Sequence, residues 1–357
     1  MDSVTFQQTH RIIRTLSKAV AIGAVFAAVA GLSACGGASG TTKPVSGSWS
    51  DVVTAAEHEG KVVLYSSQKP ANLDALKRAF EAKYPQIHME YVRGTDADIN
   101  PRVETENKTG KGIADVHMLT DMGWVQAAAQ SGTYSSDLVG PDLHAPEYRP
   151  QTSLLHNRFA LTSAAVFALG WNTAAVPGGL KDPHDILDPK YRGKIGITNP
   201  TGIAAYVDMY QYYEKTYGAD YWKRLAELAP RVYPSALGIA QALTSGEISV
   251  TPSVQPLTTE VAAGAPVNWV LPQSPFGTPW YSHVTKVAPH PNAAQVLADF
   301  MVTRDGQVAL NSGYAAVLPD IPGAVARAQD LPAPNTANLT PDKVSQYSQA
   351  WSKRFQG

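Results

Sequence analysis

Cysteine is nearly absent. The 357-residue chain has one, Cys35, which excludes an internal disulfide, a thiolate metal cluster and a cysteine nucleophile in the folded body. Surplus charge is absent too. The net charge is −1, and basic residues occur in pairs such as Lys77-Arg78, so the sequence carries no electrostatic footprint for nucleic acid. The nine histidines form no HExxH or HxH pair, no GxSxG elbow precedes a helix, and no GxxxxGK[ST] loop occurs. These gaps exclude the commonest zinc, acyl-transfer and nucleotide-hydrolysing frameworks. No motif remains to carry an enzyme reading or a bound cofactor. No fixed-period repeat is present. Apolar residues make up 44% and charged residues 17%, the composition of a globular body long enough for two domains.

One apolar run stands apart. Arg11, Arg14 and Lys18 precede sixteen uncharged residues, Ala19 to Ala34. That length suits a signal-peptide core and is short for a spanning helix, which needs about 20 residues. The run ends in Leu32-Ser33-Ala34-Cys35, which resembles a bacterial lipobox. The resemblance implies cleavage after residue 34, lipidation of Cys35 and attachment to the cell membrane outside the cytoplasm. Gly, Ser and Thr dominate the stretch that follows, so residues 35–50 read as a flexible tether.

Beyond the tether, strand and helix signals alternate. Residues 61–65 form a short apolar run after Gly60, and 88–92 and 114–119 repeat it. Between them the spacing predicts a helix from Asn72 to Tyr84, stopped by Pro85, and a second from about Asp98 to Gly110. Asp121 is placed to cap a third. This β-α-β-α-β-α order predicts an α/β fold with a mainly parallel sheet covered by helices. Further on, 165–171 and 194–198 read as strands, 201–217 as a helix, and 248–251 and 267–271 as strands. Asn292 is placed to cap a late helix.

These segments resemble the type 2 periplasmic-binding-protein superfamily, within it the ferric-iron-type extracellular solute-binding proteins of ABC importers. The matching stretches are GKVVLYSSQ (60–68), AFEAKYPQIHMEYVRGTDADI (79–99), ADVHMLTD (114–121), ALGWNT (168–173), DILDPKYRGKIGITNPTG (185–202), GAPVNWVLPQ (264–273) and APHPNAAQVLADFMVTRDGQ (288–307). The resemblance implies two α/β lobes joined by crossing strands, residues 51–160 with 275–357 and residues 161–274. It also implies a monomeric receptor that closes on a small solute and hands it to an ABC permease and its ATPase.

Ligands of open α/β sheets bind beyond the carboxyl ends of strands, where helix N-termini favour anions. Ser66, Ser67 and Gln68 follow the first strand, Thr95 and Asp96 the second, Thr120 and Asp121 the third, and Thr201 and Gly202 the strand at 194–198. Asp96, Asp121 and Thr201 also suit N-caps, and capping alone accounts for them. Tyr65, Tyr206 and Tyr281 are candidate cleft or core aromatics, and Ser253 falls in the loop discussed next. Arg93 and Lys69 are candidate counter-charges or solvated surface.

In the resembled group a pair of adjacent tyrosines holds ferric iron. Here Ser253-Val254-Gln255-Pro256-Leu257 occupies that stretch, and no tyrosine lies between Tyr233 and Tyr281. The expectation is therefore a non-metal solute, an oxyanion such as a phosphonate or phosphate ester. A ferric receptor without the tyrosine pair, or a partner of a membrane sensor kinase, is the alternative.

Overall fold

The computed structural model describes residues 43–357. The signal segment, Cys35 and most of the tether lie outside the described residues. Helix α1 (Trp49–Glu59) leads into β1 (Lys61–Ser66), α2 (Pro70–Lys83), β2 (His88–Arg93), α3 (Asp96–Thr109), β3 (Val116–Leu119) and α4 (Met122–Ser131). The tether is thus shorter than expected, because Ser48 caps α1 and brings Trp49 and Ser50 into the helix. Strand β1 pairs in parallel with β2 and β3, with Leu64 opposite both Tyr91 and Val116. It is the central member of this group and is buried from Val62 to Ser66.

A short helix α5 (Pro150–Ser153) and strand β4 (Leu154–Leu155) precede the long strand β5 (Phe159–Val166) and then β6 (Ala168–Asn172). Sequence spacing suggested a single strand over 165–171. In the fold the chain changes sheet at Phe167. Strands β7 (Gly196–Thr198), β8 (Arg231–Tyr233), β9 (Val250–Val254) and β10 (Val267–Val270) follow, with helices α6 (Ala204–Tyr217), α7 (Tyr221–Ala226), α8 (Ala236–Thr244) and α9 (Thr258–Ala262) among them. The chain returns through β11 (Gly277–Val284), α10 (Pro291–Phe300), α11 (Arg304–Leu310), β12 (Ala315–Ala316), β13 (Ala326–Arg327) and α12 (Pro341–Phe355).

Two lobes result. The first holds an eight-stranded sheet in the order β13-β12-β5-β11-β3-β1-β2, with β4 on β5. Its parallel β2-β1-β3 core is extended by β11 and β5, which run antiparallel because they carry the chain out and back. The second holds the three-stranded β10-β6-β9 sheet, and the parallel β7-β8 pair joins it through an Ile195–Val250 bridge. At the crossing the Phe167 N–H donates to the Phe276 carbonyl at 2.9 Å, so the outgoing and returning strands are tied where they change lobe.

Helix α2 starts two residues before Asn72. Pro70 takes its first position, where a missing N–H costs nothing. Asn72 is buried instead and donates to the Leu310 carbonyl at 2.6 Å, fastening α11 to α2. Asn292 likewise lies inside α10, held by Glu59 of α1. Phe300 packs edge to face on Phe80 and Tyr84 at 5.5 and 6.3 Å, and Phe80 meets Tyr84 tilted at 5.3 Å.

The tail departs from its expected place on the first lobe. Helix α12 packs on the second lobe: Trp351 is buried with its ring 5.9 Å from Tyr210, and Tyr347 and Arg354 both donate to Glu214 of α6. The physical reason is the aromatic face of α6 and α7, where Tyr210, Tyr213 and Trp222 need a cover. No helix among the described residues is long and apolar enough to cross a membrane.

Candidate functional site

The expected site residues separate into a polar tie, an inner cavity and an outer groove. The tie is Asp96. Its carboxylate is buried and accepts the Ser67 hydroxyl at 3.1 Å and the Thr120 N–H at 2.8 Å, together with the Thr120 hydroxyl. Burial pushes the Asp96 pKa up, against the pull of these donors. The Trp280 indole N–H donates to the Ser67 oxygen at 3.1 Å. The Ser67 hydrogen is therefore committed to Asp96, and a ligand would meet the oxygen as an acceptor. Thr95 caps α3, its hydroxyl donating to Asp98 at 2.6 Å and holding that carboxyl below its usual range.

Between the lobes lies a cavity of about 60 Å³. The first lobe lines it with Ser67, Arg93, Thr95, Asp96 and Thr120, and the crossing region with Ala165, Phe167, Thr278 and Trp280. The second lobe supplies Ile203, Ala205, Tyr206, Ser235 and Gln255. Three helices begin at this wall: α3 at Asp96, α6 at Ala204 and α8 behind its cap Ser235. Their first turns carry partial positive charge, although in α8 the Ala236 and Gly238 N–H groups are taken by Tyr206 and Ser235. Arg93 is exposed at the rim, and its guanidinium makes no ion pair or hydrogen bond with the described residues. The Tyr206 oxygen accepts the Ala236 N–H at 3.2 Å, which leaves its proton free to donate. Thr278 is buried, and its hydroxyl has no partner among the described residues.

Asp121, Thr201 and Gly202 face a different depression, an open groove of about 1250 Å³ between α4 and α12. Asp121 caps α4 through the Trp124 N–H at 3.1 Å. Helix α6 starts at Ala204 rather than 201, because the Thr201 N–H turns back to Asn199 at 2.9 Å and Gly202 adopts φ +74°. A Cβ at 202 would lie 3.8 Å from Ala97 on the first lobe, so the loop closes on α3 in ordinary contact. Mostly neutral side chains line the groove, while helix termini and a guanidinium meet at the smaller cavity. The chemistry points to the smaller one.

The remaining candidates lie elsewhere. Ser66 is buried beneath the loop and accepts the Gln68 N–H. Gln68 and Ser253 are buried outside the cavity wall, with side-chain polar atoms that have no partner among the described residues. Tyr281 is buried in the main core and does not line the cavity. Tyr65 donates to Glu106 on α3, also away from the cavity. Tyr212 and Tyr213 donate to the Ser274 and Pro252 carbonyls, so neither is presented to the cavity. Lys69 donates to the Pro256 carbonyl at 2.8 Å.

Sequence reasoning missed Phe167, Ser235, Gln255, Thr278 and Trp280. Ser235 was reachable by the logic used for the other loops, since it precedes a helix that follows a strand. Thr278 and Trp280 lie on an antiparallel strand, and nothing local shows that it borders a cleft.

The family described as bacterial extracellular solute-binding protein matches residues 61–313. The chain belongs to that family. No curated protein matches it. Among solved structures it is similar to AfuA of Actinobacillus pleuropneumoniae with fructose-6-phosphate bound, at 19% identity and TM-score 0.67, covering 84% of this chain and 99% of that one. It is similar to iron-bound HitA of Pseudomonas aeruginosa, at 20% identity and TM-score 0.60, covering 82% and 98%. A substrate-binding protein of an ABC transporter from Agrobacterium tumefaciens gives 17% identity and TM-score 0.69, covering 85% and 97%. The fold of this solute-binding protein is thus the two-lobe type 2 periplasmic-binding fold.

Proposed function

We propose that this solute-binding protein is the monomeric receptor of an ABC importer, anchored outside the cytoplasm by lipidated Cys35, and that it closes on a small oxyanion such as a phosphonate or phosphate ester. The observation that carries the reading is the meeting of three helix N-termini and the unpaired Arg93 guanidinium at one interlobe cavity. Backbone N–H groups, a phenol and a guanidinium all donate, and an oxyanion accepts from every one of them. The cavity suits a compact head group. Fructose-6-phosphate in the similar AfuA supports the class. The stretch 253–257 presents no tyrosine, which speaks against a phenolate-held ferric ion. Binding both lobes at once stabilises the closed form, and an importer reads closure as the loaded signal.

A thermal-shift series tests this. Fructose-6-phosphate, methylphosphonate or inorganic phosphate is expected to raise the melting temperature, and spermidine and ferric citrate are expected not to. Stabilisation by spermidine or iron alone would overturn the oxyanion assignment.

A further inference from the structure

Gln255 follows β9 and forms part of the second-lobe wall of the cavity. Its Oε1 lies 2.8 Å from the Tyr314 hydroxyl. Tyr314 is buried on the first lobe between α11 and β12 and is not itself part of the cavity wall. The same hydroxyl accepts the Lys69 backbone N–H at 3.4 Å. With its acceptor side engaged, the phenol turns its hydrogen toward Gln255, and the amide atom that receives it must be the carbonyl oxygen. Burial raises the phenol's pKa far above its usual range, so it stays a donor. The planar amide then has one orientation: Oε1 is spent on Tyr314, and Nε2 is the donor that Gln255 has left at the cavity wall. No hydrogen bond from Nε2 to any described residue exists. Lys69 completes the contact, with Nζ 2.8 Å from the Pro256 carbonyl and 5.4 Å from the Tyr314 ring centre.

We propose that the Gln255 amide is the donor by which the second lobe selects the solute's anionic oxygen, and that Tyr314 and Lys69 are positioning residues that orient it. Both positioning residues belong to the first lobe, so the amide is set only when the lobes meet, and closure itself completes the recognition surface. The role rests on the oxyanion reading.

Gln255→Glu tests it, with fructose-6-phosphate and inorganic phosphate as calorimetric probes. The variant keeps the shape and the acceptor for Tyr314 but replaces the donor with a like charge. Its affinity is expected to fall about 10- to 100-fold at about pH 7.5. At about pH 4.5 the new carboxyl is partly protonated and can donate again, and the phosphate probe carries less charge to repel what remains ionised, so the wild-type-to-variant ratio is expected to narrow about tenfold. Gln255→Met, neutral at both pH values, is expected to lose affinity without that rescue. Tyr314→Phe keeps the ring over Lys69 and is expected to weaken binding about 3- to 10-fold in the wild-type background. In the Gln255→Glu background it is expected to cost nothing further, because a carboxylate offers an oxygen from either limb. Affinity within about twofold of wild type in Gln255→Glu at both pH values would overturn the donor role, given typical binding effects of a lost charged hydrogen bond. Additive losses in the double variant would overturn the positioning role. Silence of the wild type toward every phosphate probe would sink the oxyanion reading, and this role with it.

Discussion

Replacing Arg93 by Met isolates the charge at the cavity from the stability of the lobe that carries it. Met keeps most of the aliphatic stem and removes the guanidinium. Arg93 ends β2 and is exposed at the rim, and its guanidinium makes no ion pair or hydrogen bond with the described residues. Its loss therefore leaves no buried partner stranded, and the unfolding free energy of the ligand-free protein is expected to move by no more than about 0.5 kcal/mol. Binding differs. A hydrogen bond to a charged group contributes about 1.5–3 kcal/mol, and solvent at the rim discounts this, which gives about a tenfold loss of affinity for an oxyanion. The loss is expected to shrink as salt rises, since an exposed charge is screened within about 8 Å at physiological ionic strength. Calorimetry with fructose-6-phosphate at low and high salt, beside a thermal melt of the empty protein, checks both halves. Unchanged affinity at low salt would refute the counter-charge. A large drop in melting temperature would show that the residue holds the fold instead.

Three more outcomes follow from other parts of the molecule. His117 and His283 are fully buried with ring nitrogens 3.2 Å apart, and burial holds the His283 pKa down to about 3. Between about pH 6.5 and that value the unfolded histidine binds a proton that the folded one refuses, so His283 removes about 1.4 kcal/mol of stability per pH unit as pH falls. Urea titrations are expected to show a shallower acid slope in His283→Phe, and an unchanged slope would count against the account. Trp351→Ala is expected to destabilise by about 3–5 kcal/mol, because it opens a cavity between α12 and Tyr210, and chemical denaturation measures it. Cys35→Ala is expected to move the protein from the membrane to the soluble fraction, and persistence in the membrane would refute the lipid anchor.

The order of strands and helices was legible because each turn of it is local. Gly60 closes α1 in a left-handed conformation, Asp121 caps α4, and the apolar run of β1 fills the middle of the sheet. The crossing was not legible. Phe159 to Val166 and Ala168 to Asn172 are both continuously buried, and a run without alternation gives no sign that it serves two sheets. Half the cavity was hidden for a related reason. Ser67, Thr95 and Asp96 sit at strand ends and announce themselves, whereas Thr278 and Trp280 reach the cavity only through β11's antiparallel pairing with β5. Ser67 shows a further limit: its position was readable, but the commitment of its hydrogen to Asp96 depends on a residue 29 positions away.

The placement of α12 has a consequence for how the chain becomes a protein. The second lobe is assembled from the middle of the sequence, yet Tyr210 stays uncovered until Trp351 arrives, and the Arg354 contact to Glu214 spans 140 positions. Loop-closure entropy must be met before so distant a contact returns anything, which makes this a late step. A chain without α12 would leave that aromatic patch open. The second lobe's own strands and helices thus depend for their last cover on a segment 140 positions downstream.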